Sequence, residues 1–153
     1  MREKGTRALI LDLRGNGGGV DEYGALLVSY FLERPFRYFD HIHLTTIAPS
    51  FATWLPRTFD ELRAGTEPGP NGGFRVTAAL HPGVGEQRPA SHPFPGKVVV
   101  LIDGGSFSTT ADVAAQLRSR ERATFVGEET GARTKATRQA STRSSSCRTR
   151  VWG

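Results

Sequence analysis

The chain has 153 residues, 37% of them hydrophobic and 23% charged, with a formal net charge of +5 and a single cysteine. That length suits one domain with a core of its own. No apolar run is long enough to cross a membrane, and one cysteine excludes an internal disulfide. The charge is unevenly placed. Residues 132–153 hold six basic groups and no acid, whereas the first 131 residues carry fourteen Lys and Arg against fifteen Asp and Glu. The basic character therefore belongs to the tail, and the body of the chain is nearly neutral.

In chain order, the opening residues have a basic start, but their apolar run is short and ends in Asp12 and Arg14. They are not expected to act as a secretory leader. Ala8 to Leu11 reads as a strand, and Gly15 to Gly19 as a glycine turn. Glycines there let backbone N–H groups approach a bound molecule closely. A nucleotide-binding reading fails, because Val20 stands where a third glycine is needed and no Gly-Lys-Ser/Thr follows. Residues 20–33 read as an amphipathic helix with Val20, Tyr23, Leu27, Tyr30 and Phe31 as its core face, Asp21 and Glu22 in its first turn, and Pro35 closing it. Residues 37–48 read as one strand, with Tyr38, Asp40, Ile42 and Leu44 on one face and Phe39, His41 and His43 on the other. The two histidines have no acidic or thiol cluster to complete a metal site, so ordinary strand histidines are expected.

Residues 49–95 are the least patterned. Phe51, Trp54, Leu55, Phe59 and Leu62 suit a short helix, Glu67 to Gly73 a turn-rich break, Phe74 to Ala78 a short strand, and His81 to Pro95 a loop. This stretch reads as a variable insert that either covers a site or decorates a sheet edge. The pattern sharpens again from Lys97 to Gly131. Val98 to Ile102 form a continuous apolar run, as in a strand covered on both faces. Asp103, Gly104 and Gly105 stop it. Ser106 or Ser108 can cap the following helix, in which Val113 and Leu117 lie one turn apart. Ala123 to Val126 returns as a strand. Ser108 thus falls at a helix N-terminus, where free N–H groups and the helix dipole would support an oxyanion.

At these residues the chain resembles the tail-specific (C-terminal processing) serine protease family, whose core is shared with the tricorn protease. The family's Gly-Ser-x-Ser-x-Ser/Thr corresponds to Gly105 to Thr110, and the Gly-Glu-x-Thr that opens its Gly-Glu-x-Thr-x-Gly corresponds to Gly127 to Thr130, with Gly131 next. Its Asp-Leu-Arg-x-Asn-x-Gly-Gly corresponds to Asp12 to Gly19. The resemblance covers roughly residues 7–48 and 94–131. It implies an α/β protein with a crotonase-like (ClpP-like) core, present in part. Residues 1–131 would be a partial protease domain with an N-terminal portion missing, 49–95 the variable insert, and 132–153 a basic tail without stable structure.

The resemblance also implies roles. Ser108 would be the nucleophile, with Ser106 as the competing candidate. Gly18, with Gly17 as its neighbour, and Thr109 would give the oxyanion-hole N–H groups. The substrate would be a polypeptide, with no metal or organic cofactor and no nucleic acid. The general base is not identified. The family's lysine position is Arg133, which stays protonated at ordinary pH. Lys135 lies two residues beyond. The tricorn-like branch of the resemblance uses a histidine from an earlier segment with a glutamate from a later one, and His41, His43, His81 and His92 match neither place. A non-catalytic binding module on the same fold is the alternative, and a nucleic-acid binder acting through the tail is a third reading. The tail has a further peculiarity. Read one base out of register, codons chosen for Arg133 to Ala140 give Tyr-Glu-Gly-Asn-Thr-Ser-Gly, and those for Thr142 to Arg150 give Glu-Val-Val-Val-Leu-Pro-Asn-Ser. Both are family-like, so the tail is expected to be a frameshift product.

Overall fold

The computed structural model describes residues 5–54 and 56–132. In chain order these hold β1 (Ala8–Asp12), α1 (Asp21–Ser29), β2 (Phe36–Arg37), β3 (His43–Leu44), a 3-10 turn (Ala52–Trp54), α2 (Pro56–Ala64), β4 (Thr66–Pro68), β5 (Phe74–Val76), a second 3-10 turn (Pro82–Val84), β6 (Glu86–Gln87), β7 (Lys97–Ile102), α3 (Thr109–Ser119) and β8 (Thr124–Gly127). Arg34–Arg88 forms one compact unit, and the described residues on either side of it form another.

The flanking unit is built on a parallel sheet in the order β1-β7-β8. Its register runs from Ala8 opposite Lys97 to Asp12 opposite Leu101, and from Val99 opposite Thr124 to Ile102 opposite Gly127. The apolar run of β7 was expected to be covered on both faces, but its burial alternates. Val98, Val100 and Ile102 are buried, while Val99 and Leu101 are only half-buried. Their neighbours Ile10 and Val126 are 67% and 51% exposed. A strand carries its side chains to opposite faces in turn, so an unbroken apolar run does not reveal which faces are covered. The β7–β8 end also fixes a glycine. Gly127 has φ +116°, and a Cβ there would stand 2.0 Å from the Ile102 carbonyl oxygen.

α1 packs on α3, and it does so on a different face from the one the large residues suggest. Gly24, Ala25, Val28 and Ser29 are buried, against Ala111, Val113, Ala114 and Leu117 as the buried face of α3. Val20, Tyr23 and Tyr30 are 51%, 71% and 49% exposed, so the predicted core face of this helix holds only at Phe31 and, half-buried, at Leu27. Small residues permit close approach of two helix backbones, and that packing outweighs the size of the tyrosines. α1 also ends at Ser29 rather than Glu33. Its terminal carbonyls are taken by the returning chain, with Ala90 N–H donating to Ser29 and Phe94 N–H to Tyr30. Arg122, just beyond α3, donates to the carbonyls of Phe31, Phe94 and Gly96 and so ties that corner together.

In Arg34–Arg88 the single strand expected over 37–48 is two short ones with different partners. β2 pairs antiparallel with β6, and β3 joins a sheet in the order β3-β5-β4. Between them Tyr38 is buried at 1% exposure and Phe39 N–H donates to the Gly83 carbonyl, so the chain turns away from one sheet before entering the next. Alternation in sequence cannot detect a change of partner. His41 and His43 are exposed, and His81 Nδ1 accepts from Gly83 N–H at the start of the second 3-10 turn. The helix expected from Phe51 to Leu62 divides into the first 3-10 turn and α2, with Phe59 buried and Trp54 83% exposed. The expectations placed on residues 133–153, including Arg133, Lys135 and the tail as a whole, lie outside the described residues.

Replacing Arg122 with alanine would leave three carbonyls without their charged donor. A loss of about 3 kcal/mol is expected, in keeping with hydrogen bonds to charged groups. Urea unfolding of the parent and Arg122→Ala chains measures it, and an unchanged midpoint would show that water replaces the guanidinium.

Candidate active site

Both motif stretches end strands of the same parallel sheet, at the same edge. Leu13 N–H donates to the Leu101 carbonyl, which continues β1 past its end alongside β7. Asp103, the first residue after β7, then gathers the two turns. Its Oδ1 accepts from Gly15 N–H at 2.9 Å and from Gly105 N–H at 2.9 Å, with the Ser106 hydroxyl at 3.4 Å. These donors, the Gly15 N–H foremost, hold the Asp103 carboxyl below the usual carboxylate range. Asp12, at the end of β1, is held at about 2, chiefly by a hydrogen bond from the Arg14 guanidinium. That ion pair is solvent-exposed and adds little to stability.

The two candidate serines have different surroundings. Ser106 is fully buried. Its Oγ donates to the Leu13 carbonyl at 2.8 Å and accepts from Asp103 N–H at 3.1 Å. It joins the two turns and does not face solvent. Ser108 is exposed. It occupies the N-cap position of α3 with φ 53° and ψ −131°, yet its side chain makes no capping hydrogen bond. Neither hydroxyl therefore caps the helix in the ordinary way. A serine in the left-handed region is strained, by about 1–3 kcal/mol, and such strain gathers at functional sites.

Gly18 lies against Ser108. It has φ +99°, and a Cβ on it would stand 2.7 Å from the Phe107 carbonyl oxygen, 2.8 Å from Ser108 Cβ and 3.0 Å from Thr109 N. The glycine turn and the first turn of α3 are thus in direct backbone contact. Asn16, to which the sequence assigns no role, stitches them. Its carbonyl accepts from Phe107 N–H at 3.0 Å, and its Oδ1 accepts from the Thr110 hydroxyl at 2.7 Å and from Gly18 N–H at 3.0 Å. The Gly18 N–H is therefore engaged by Asn16. Those of Gly17 and Gly19 make no hydrogen bond among the described residues. The Thr109 hydroxyl reaches the Gly19 carbonyl at 3.0 Å and is hydrogen-bonded to Asp21 Oδ1. Asn16 stands inside the first motif and Asp21 opens α1, but only their partners across the fold give them a role.

The last motif closes over the same turn. Glu128 N–H donates to the Ile102 carbonyl and Gly131 N–H to the Ser106 carbonyl. The chain is thereby brought back beside the serine turn just before Arg133, which lies outside the described residues together with Lys135. Ser108 Oγ itself makes no hydrogen bond among the described residues. Nor do these hold a group of three or more His, Cys, Asp or Glu side chains placed for a metal ion.

Residues 1–148 match the model of peptidase family S41, a span that includes 49–95 and most of the basic tail. Among solved structures, a protein of Parabacteroides merdae ATCC 43184 provisionally named a peptidase superposes with a TM-score of 0.52 and 24% identity, over 84% of this chain and 32% of that one. Mature CPAF superposes with a TM-score of 0.55 and 19% identity, over 82% of this chain and 30% of that one. The photosystem II D1 C-terminal processing protease gives 0.48 and 22%, over 84% and 24%. At these identities the likeness concerns the fold alone, and the chain spans about a third or less of each structure. No curated protein matches.

The two serines should separate by stability. Ser106→Ala leaves the Leu13 carbonyl and the Asp103 N–H without their partner and should cost about 1–3 kcal/mol. Ser108→Ala removes no hydrogen bond among the described residues and should stay within about 0.5 kcal/mol of the parent. Equal losses in thermal unfolding would contradict this assignment. A second expectation concerns Asp112, half-buried in α3. Its carboxyl is raised from 3.8 to about 6, by burial first and by the Asp21 charge second. A carboxyl with a raised folded-state pKa favours the fold while protonated, and that advantage is lost as pH rises from about 4 through about 6. Asp112→Asn should therefore match the parent below pH ~4 and exceed it above pH ~6, by roughly 1 kcal/mol once solvent screening of a half-exposed group is allowed for. Denaturant midpoints between pH ~4 and ~8 test this, and a difference that does not change with pH would refute it.

Proposed function

The chain belongs to peptidase family S41, and from that membership we propose that it carries the nucleophile and oxyanion portion of a serine-type peptidase acting on polypeptides. One observation carries the reading. Ser108 is exposed, held at positive φ at the start of α3, free of any capping bond and seated against a glycine that leaves no room for a side chain. In this reading the Ser108 oxygen attacks the carbonyl carbon of a peptide bond, and its proton passes to a base. The carbonyl oxygen becomes an oxyanion facing Thr109 N–H and an N–H of the glycine turn. Collapse of that intermediate releases the amine, which takes the proton back from the base; water then gives a proton to the base, attacks the acyl carbon and frees the acid, and the Ser108 oxygen regains its proton.

Gly18 is the proposed glycine of the oxyanion site, and it can donate there only when Asn16 yields its N–H. Gly17 and Gly19 carry the alternative donors. The crotonase-like character of the core is part of the same proposal. It is supported by the parallel β1-β7-β8 sheet with α1 and α3 packed together and by the fold likeness to mature CPAF. The division into a partial protease domain over 1–131 and a basic tail over 132–153 belongs to the same proposal and rests on the sequence. No base is hydrogen-bonded to Ser108 Oγ among the described residues, and this favours a second reading, a non-catalytic binding module on the same fold.

Labelling with a fluorophosphonate and turnover of an unstructured reporter peptide separate the two, with Ser108→Ala measured alongside. Slow labelling confined to Ser108, with poor turnover, is expected. A folded chain that does not label would favour the binding module. Robust cleavage that disappears in Ser108→Ala would uphold the nucleophile and show that a base reaches it.

A further inference from the structure

Two arms must keep a fixed spacing if an oxyanion is to be held at Ser108, one from the glycine turn and one from the first turn of α3. A displacement of about 1 Å in such a site can cost on the order of a hundredfold in rate. The arms come from separate strand-to-helix connections, one after β1 and one after β7. Something must fix one to the other beyond backbone contact at Gly18. Asn16 does this on the Phe107 and Thr110 side. On the Thr109 side the fixing group is a single hydroxyl. Thr109 Oγ1 is hydrogen-bonded to the Gly19 carbonyl oxygen at 3.0 Å and to Asp21 Oδ1, so its one proton faces two acceptors at the far end of the glycine turn. Asp21 is the charged partner of the two. It stands in the first turn of α1, where the helix dipole favours a carboxylate, and a hydrogen bond to a charged acceptor is stronger than one to a carbonyl.

Resting on the reading of Ser108 as nucleophile, we propose that Asp21 is a positioning residue of this site: through the Thr109 hydroxyl it locks the residue that follows the nucleophile to the glycine turn. Asp21 does not touch the reacting atoms. It sets where the Thr109 N–H stands relative to Gly17–Gly19. The role needs an oxygen acceptor at position 21 and a hydroxyl at position 109; the charge of Asp21 strengthens the bond, and an amide oxygen in its place still accepts the same proton. Asparagine at 21 and serine at 109 therefore preserve the lock, while alanine at 21 and valine at 109 break it.

The experiment measures the rate of Ser108 phosphonylation by a fluorophosphonate in the full chain, beside the thermal midpoint of each variant. Asp21→Ala and Thr109→Val should label about 10–100-fold more slowly than the parent, with Asp21→Asn and Thr109→Ser close to the parent rate. Amide NMR gives a readout that does not depend on labelling. In Thr109→Val the Gly18 and Gly19 amides should shift together with those of Ser108 and Thr109. If the parent does not label, the nucleophile reading falls and this proposal with it. If the parent labels and Asp21→Ala and Thr109→Val label at the parent rate, the proposal alone is overturned. Slow labelling that Asp21→Asn fails to restore overturns it as well. Should Asp21→Ala not fold, Thr109→Val against Thr109→Ser decides the question on the same criteria.

Discussion

The close approach of Gly18 to Ser108 is the constraint on which the rest of this site depends. Two strand-to-helix connections, separated by about ninety residues of chain, meet with their backbones in contact, and a single Cβ on Gly18 would collide with the Phe107 carbonyl and the Ser108 side chain. A contact of that kind needs both connections to be held from several directions. Asp103 holds the start of each turn by accepting from Gly15 and Gly105. Ser106, buried between them, links the Leu13 carbonyl to the Asp103 N–H. Asn16 and Thr109 then hold the far ends. Asp103, Ser106, Asn16 and Thr109 each make at least one bond to the other connection, so the arrangement is not local to one motif.

That architecture explains the division of labour between two hydroxyls two residues apart. A buried hydroxyl must be hydrogen-bonded, and Ser106 is bonded on both sides. An exposed hydroxyl in a strained backbone is costly unless the surrounding structure enforces it. At Ser108 the enforcement comes from the Phe107 N–H bond to Asn16 on one side and the start of α3 on the other. The acidic groups nearby follow the same logic. Asp103 is surrounded by donors and is stabilised as a carboxylate, whereas Asp112 is pushed the other way, by its burial first and by the Asp21 charge second.

The sequence by itself determined the strands at Ala8–Asp12 and Lys97–Ile102, the helix after each, the strand that follows α3, and the two motifs that place Ser108 at a helix start. These are local properties. Runs of β-branched residues, glycines that stop them and a 3.6-residue period can all be read within a short window. Family membership was legible for the same reason, since the motifs are contiguous. Tertiary structure alone decided which face of α1 is buried, because the small residues Gly24, Ala25 and Ser29 matter only once α3 lies against them. It decided that the apolar run of β7 is covered fully on one face, and that residues 36–44 change sheets between Arg37 and His43. It gave Asn16, Asp103 and Asp21 their roles, because each acts through a partner nearly ninety residues away or more, a separation that no local pattern encodes. The same distance is why Ser106 and Ser108 look interchangeable in the sequence, while in the fold one is sealed between two turns and the other is held open to solvent.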